Sequence, residues 1–243
     1  MRVGVYVDGY NLYYGARRLV SERTGWKWLD VRGLVTELVS AQRGWTDARV
    51  DRVVYCTARI DARLNPDGQA EQDVYLKALL ASGSVDHIEY GKYVTGVRVR
   101  PLAVQGPRRG RPELVTATWP VMVQSSLGAP QADALFMVST LHQEEKGSDV
   151  NVATHLLTDV FTDRIDAAVV VSNDSDLRLP IQFARTQVPL GLVNPRNTFV
   201  AGDLRGNRDD GVGGHWWSHV SADALVRHQL PSSAGGYRKP EAW

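Results

Sequence analysis

Four aspartates stand where strand ends would present them to solvent. Asp8 closes the apolar run Arg2–Val7, in Val7-Asp8-Gly9-Tyr10-Asn11. Asp149 follows Lys146-Gly147-Ser148, and Asp174 and Asp176 follow a second apolar run in Val171-Ser172-Asn173-Asp174-Ser175-Asp176. Taken singly, each acid reads as a turn former or a helix cap. Gathered in one crevice, four carboxylates repel one another unless a cation lies among them. Hard oxygen ligands of this kind select Mg2+ or Mn2+. The gathering requires that the strands ending at Asp8 and before Asp174 be neighbours.

A second group is cationic. Lys92, Arg98, Arg100, Arg108, Arg109 and Arg111 lie in a 20-residue stretch with no acid, a local charge of +6. Arg98 and Arg100 alternate, so on a strand they share a face. Such a ribbon suits phosphate binding, with arginine forks matching phosphate geometry. It equally suits an edge strand protected by charge. Trp216 and Trp217, with Tyr10, Tyr13 and Tyr14, could stack on unpaired bases or serve as local core.

The elements that must position these groups alternate. Strands are expected over Arg2–Val7, Val50–Ala58, Val85–Tyr93, Ala167–Val171 and Val188–Val193, from runs rich in β-branched residues. Between them come helices starting at Asn11, capped at Asp30, and starting at Pro66, then Ser148–Phe161, Asp174–Thr186 and Ala222–His228. This alternation implies an α/β fold with a mostly parallel central sheet, whose ligands bind beyond the carboxyl ends of the strands. Residues 94–143, rich in Gly and Pro with alternating Val/Arg and Val/Thr, break the alternation and read as a β-rich insertion. The expected organisation is one domain over 1–230 with the basic ribbon inserted at about 94–143. Residues 231–243 are expected to form a flexible tail.

Composition sets bounds. The chain has 243 residues, 43% of them apolar and 23% charged, enough for one sizeable core. A single cysteine, Cys56, excludes a disulfide framework and a multi-thiolate zinc site. No apolar stretch reaches the length of a membrane span, and an acid at position 8 interrupts any signal-like start, so a cytoplasmic protein with no membrane partner is expected. The net charge of +1 is a cancellation: residues 141–176 carry eight acids against Lys146 and Arg164, offsetting the basic ribbon.

The motifs VYVDGYN, EEKGSDVNVATHLL and VVVSNDSDLRLPI, in that order from Val5 to Ile181, resemble the NYN domain, a bacterial LabA-like branch of the PIN-like nucleases. The resemblance implies a PIN-like, Rossmannoid three-layer sandwich with four or five parallel strands. It implies a metal-dependent ribonuclease, in which Asp8, Asp149, Asp174 and Asp176 hold Mg2+ or Mn2+ and Asn11 completes the pocket. Ser172 and Asn173 match the family's polar turn and would orient the acids. Many members carry a further acid one to two turns after the Asp149 position, where this chain has His155. The reaction implied is endonucleolytic hydrolysis of single-stranded or structured RNA, with Lys146 and the basic ribbon as substrate contacts. Metal-free cleavage would instead need paired histidines, and only His215 and His219 are spaced to share a helix face. The alternative reading is a non-catalytic PIN-like module that binds RNA or protein. A haloacid dehalogenase-type phosphatase is excluded, since it needs an acid two residues after Asp8, where Tyr10 stands. A receiver domain is excluded because the expected second and third strands lack a terminal phosphoacceptor aspartate. An exposed sheet edge or charged ribbon would support a homodimer.

Overall fold

The computed structural model describes residues 1–20, 25–105, 111–116, 124–132 and 134–243. Residues 1–93 with 145–243 form one compact unit, and residues 94–144 form another.

The larger unit is built by strands and helices in alternation. In chain order they are β1 (Arg2–Asp8), α1 (Gly9–Val20), α2 (Val31–Ser40), β2 (Arg49–Ala58), α3 (Pro66–Ala81) and β3 (His87–Pro101). β3 runs on into the smaller unit, where β4 (Ala103–Gln105) and β5 (Pro112–Leu114) pair antiparallel and β6 (Met137–Lys146) begins. Then come α4 (Ser148–Phe161), β7 (Ala167–Val171), a single 3-10 turn (Ser175–Leu177), α5 (Arg178–Arg185) and β8 (Leu190–Asn194). The chain ends with α6 (Gly202–Arg205), β9 (Trp216–His219), α7 (Ala222–Arg227), β10 (Ser233–Ala234) and β11 (Tyr237–Arg238). No helix among the described residues is long and apolar enough to cross a membrane.

The seven-stranded sheet has the order β6-β3-β2-β1-β7-β8-β9. The pairs from β3 through β9 are all parallel. β1 lies at the centre, and the apolar runs of β1, β7 and β8 are buried on both faces, as continuous β-branched sequence dictates. Successive side chains point to opposite faces. Val3, Val5 and Val7 therefore meet Leu12, Leu34, Leu79 and Leu225 on one side, while Tyr6, Val54 and Cys56 meet Val152, Leu156 and Ile181 on the other.

Two glycines permit close approaches. Gly9 lies against the ring of Tyr55 and the Cys56 carbonyl, where an added Cβ would stand 2.7 and 2.9 Å away. Gly191 pairs with Trp216 across the β8–β9 ladder and leaves room for its indole.

Three differences from the sequence expectations have physical causes. The sheet has seven strands rather than four or five, because the far end of the 94–143 segment continues as β6, and because Trp216–His219 adds an edge strand. The His215/His219 spacing reads as a helix face in sequence; here Trp216 faces the core beside Trp45, ring centroids 5.3 Å apart, and the local period is that of a strand. The expected flexible tail instead packs. Ala234 is buried, and Trp243 donates its indole N–H to Glu71 at 2.7 Å and stacks edge-on against Trp28 and Tyr75.

Asp159 ties the far side of the sheet together. Its carboxylate, 1% exposed, accepts the Tyr6 hydroxyl at 3.0 Å and lies 2.9 Å from Arg52 Nε and 3.2 Å from Arg164. Removing this buried acid leaves the Tyr6 hydroxyl without its acceptor, at about 1–3 kcal/mol, and releases two arginines that still reach solvent. Asp159→Ala should therefore lower the urea midpoint sharply, and Asp159→Asn, which keeps the Tyr6 contact, should lower it less. Equal, small effects in both would show that the two arginines are solvated independently.

Candidate functional site

The condition set by the sequence is met: β1 and β7 are adjacent, with Val7 opposite Val171. This places the β1–α1 turn beside the turn after β7. Asp8 is 4% exposed and is held by two neutral donors. The Asn11 backbone N–H donates to Oδ1 at 2.9 Å, capping the start of α1, and the Ser172 hydroxyl donates to Oδ2 at 3.0 Å. Ser172 Oγ in turn accepts the Asp174 N–H at 3.1 Å. Asn11 Oδ1 accepts from Asn173 N at 3.4 Å, and Asn173 Oδ1 accepts from Ala201 N at 2.9 Å. Asn11, Ser172 and Asn173 thus brace the two turns against each other.

Burial pushes the Asp8 carboxyl up to about 6, and the neighbouring charges of Asp174 and Glu145 push the same way, outweighing its two hydrogen bonds. Glu145 did not emerge from sequence reasoning. Its Oε1 accepts from Ser148 N at 3.2 Å and from Ser148 Oγ at 2.7 Å, closing the left-handed Gly147 turn that starts α4.

The remaining sequence candidates are placed as follows. Asp174 caps the 3-10 turn by accepting from Asp176 N at 3.1 Å, Asp176 itself is exposed, and Asp149 lies partly exposed in the first turn of α4. Among the described residues, one group of three His, Cys, Asp or Glu side chains has ligand atoms all within 4.8 Å of one another: His87, Glu89 and His155. The four aspartates form no such group. Of the basic residues, Lys92 and Lys146 belong to the larger unit and are exposed; Arg98, Arg100 and Arg111, also exposed, belong to the smaller. Arg98 lies 4.0 Å from Glu144. Arg108 and Arg109 lie outside the described residues.

An aromatic cluster flanks Asp8. Tyr10 and Tyr14 have ring centroids 4.5 Å apart, and Tyr13 and Tyr14 5.2 Å, all three partly exposed. Tyr93 joins them: burial, with the nearby tyrosines and Glu145, pushes its phenol up to about 12. Arg196 adds positive charge beside Tyr10, and its Nε is buried with no hydrogen-bond partner. The tyrosines at positions 10, 13 and 14 were visible in sequence; Tyr93 and Arg196 were not, because only the fold brings them there. Trp217 is flanked by Arg205 and Arg208, at 4.8 and 5.3 Å from its ring. His215 is consumed by the fold, accepting from Leu190 N at 3.0 Å.

No protein-family model matches the chain. Over its full length it is 29% identical to 6-hydroxy-3-succinoylpyridine 3-monooxygenase of Pseudomonas putida, covering 75% of that protein. A solved structure of a Vibrio parahaemolyticus protein of unknown function aligns over 91% of this chain and 94% of its own, with a TM-score of 0.45 and 14% identity.

The similarity to a monooxygenase corrects the functional expectation. A relative matched along the whole chain carries an oxidation enzyme's name, which points to an oxidoreductase. It overturns both the metal-dependent endoribonuclease and the non-catalytic binding module. The Mg2+ or Mn2+ cofactor goes with them. The motifs that suggested hydrolysis mark positions beside the β1 and β7 turns and do not by themselves fix a reaction.

The Asp8 carboxyl has a measurable signature. Its folded-state value of about 6 lies above the ordinary 3.8, so between these limits the folded state holds a proton that the unfolded state has released. Stability from this group is then greatest below pH 4 and falls as pH rises to 6, by up to about 3 kcal/mol. Asp8→Asn should abolish that component, making the variant relatively more stable than the wild type at pH 8 but not at pH 4. Urea midpoints at the two pH values decide it; an unchanged difference would show that Asp8 titrates normally.

Proposed function

We propose that this protein is an oxidoreductase that hydroxylates a small hydroxylated pyridine bearing an acidic side chain. The observation that carries the reading is the full-length similarity to an enzyme named for oxidising 6-hydroxy-3-succinoylpyridine. Within the reading, the NYN-type, PIN-like arrangement of the sheet is a scaffold used for oxidation.

The aromatic cluster beside Asp8 supports it. Tyr10, Tyr14 and Tyr93 offer ring faces and edges to a flat heteroaromatic ring. Arg196 supplies a cation beside Tyr10 for the carboxylate of a succinoyl-type chain. Asp8, with its raised affinity for a proton, is suited to accept one from a ring hydroxyl near neutral pH, and Ser172 and Asn11 hold it in place. The ring carbon numbered in that enzyme's name bears the succinoyl chain, so the overall change replaces the carbon–acyl bond. With dioxygen, four protons and the four electrons of two equivalents of reduced nicotinamide, that carbon gains a hydroxyl, the chain leaves as an aldehyde and the second oxygen leaves as water.

A monooxygenase name implies a redox cofactor, and a flavin or nicotinamide dinucleotide does not fit at the β1–α1 turn. There the Asp8 carboxylate already occupies the Asn11 N–H, and a second anion would be repelled. The sequence Asp8-Gly9-Tyr10-Asn11 also lacks the glycines that let a pyrophosphate approach.

The reading is tested by supplying purified protein with 6-hydroxy-3-succinoylpyridine, reduced nicotinamide and isotopically labelled dioxygen. One labelled oxygen should appear in the ring product. Arg196→Ala should raise KM by roughly 10- to 100-fold with a smaller effect on kcat, the size of a lost charge-assisted hydrogen bond. Asp8→Asn should lower kcat by about 100-fold or more and remove the acid limb of its pH profile. Absence of label from the product under all donors would sink the proposal.

A further inference from the structure

The structure assigns a divalent transition-metal site to His87, Glu89 and His155. His87 and Glu89 are two residues apart on β3, so they project to the same face of the sheet. The ladder puts His87 opposite Val54 and Glu89 opposite Cys56, the two β2 residues whose side chains pack on the α4 side. α4 brings His155 to that face, 66 residues later in the chain.

The three donors converge on one point. His87 Nε2 lies 3.1 Å and His155 Nε2 3.2 Å from the same Glu89 oxygen, and all three ligand atoms are within 4.8 Å of one another. The two imidazole rings are 5.1 Å apart and tilted by 57°, so their nitrogens meet without the rings stacking. Ligand atoms bound at about 2.1 Å to a common ion stand about 3.0–3.4 Å from each other, which matches both nitrogen-to-oxygen distances. A carboxylate merely accepting two surface hydrogen bonds has two oxygens to offer; here both imidazoles present Nε2 to a single one.

The ligand types fix the class of ion. Two imidazoles with one carboxylate suit Fe2+, Co2+, Ni2+ or Zn2+ rather than the hard Mg2+. Three protein ligands leave coordination positions open, and His87 and Glu89 are about 40% exposed, so the open side faces solvent. Glu89 is level with Asp8, since Cys56 pairs with both. Two strand spacings put the site about 10 Å from Asp8 along the same carboxyl edge. If the oxidation proposed above holds, Fe2+ here is the ion suited to it; the existence of the site does not depend on that reading.

Metal binding itself is the test. Chelator-stripped full-length protein is titrated with Co2+ and with Zn2+ by calorimetry and by the visible absorption of bound Co2+, in the presence of excess Mg2+. One ion per chain should bind, and Co2+ should give the absorption of a nitrogen- and oxygen-ligated ion. His155→Ala and Glu89→Gln should each weaken binding by at least about 100-fold. Asp8→Asn should leave it unchanged, which separates this site from the Asp8 crevice. Thermal melting confirms that each variant is folded, and His87→Gln provides a third, partly exposed position. Binding that survives all three substitutions, or folded wild type that takes up neither ion, overturns the assignment whether or not the protein hydroxylates a pyridine.

Discussion

Parallel pairing of β1 with β2 on one side and β7 on the other is the constraint from which the arrangement follows. It aligns Val7 with Val171, so that Ser172 emerges beside Asp8 and the two turns share hydrogen bonds. It also aligns Asp8 with Cys56 and, one strand further, Cys56 with Glu89. Three adjacent strands therefore offer side chains at one height on one face. α4 packs across that face with His155 at one end of the row and the Glu145–Ser148 turn near Asp8. A register slip of one residue would turn this row to the opposite face.

The same sheet handles two buried acids in opposite ways. Asp159 sits between Arg52 and Arg164 and takes the Tyr6 hydroxyl as well, so its charge is balanced within the fold. Asp8 has neutral donors and two acidic neighbours, so its charge is opposed. A balanced buried acid holds structure together; an opposed one stores proton affinity at a place where ligands can arrive. The contrast marks the carboxyl edge as the chemical end of the molecule.

Much of the scaffold was legible in the sequence. The β-branched runs at 2–7, 50–58 and 167–171 form strands because each can be buried on both faces, and Asp30 and Asn65 cap helices as short polar residues do. Trp216–His219 was not legible as a strand: four residues after a glycine-rich loop carry no periodic signal, and two histidines at helical spacing mislead. The Asp8, Asn11, Ser172 and Asn173 contacts could be anticipated, since both turns follow strands whose adjacency is a single condition. His87 and Glu89 could not, because alternation on one short strand says nothing until α4 supplies the third ligand. The motifs that resemble the NYN domain contain none of Tyr93, Arg196, His87 or Glu89, which give the edge its distinct character. Hydrolysis was what that resemblance implied, and the acids alone do not choose between hydrolysis and oxidation.

Cys56 has a consequence beyond packing. The only thiol in the chain sits in β2 between Asp8 and Glu89, fully buried. Burial and the charges of Asp8, Glu89 and Glu145 push it well above the ordinary thiol range. Oxidants attack the thiolate, and they need access to it. Keeping that sulfur protonated and buried takes the most oxidisable side chain of this edge out of reach of oxidants.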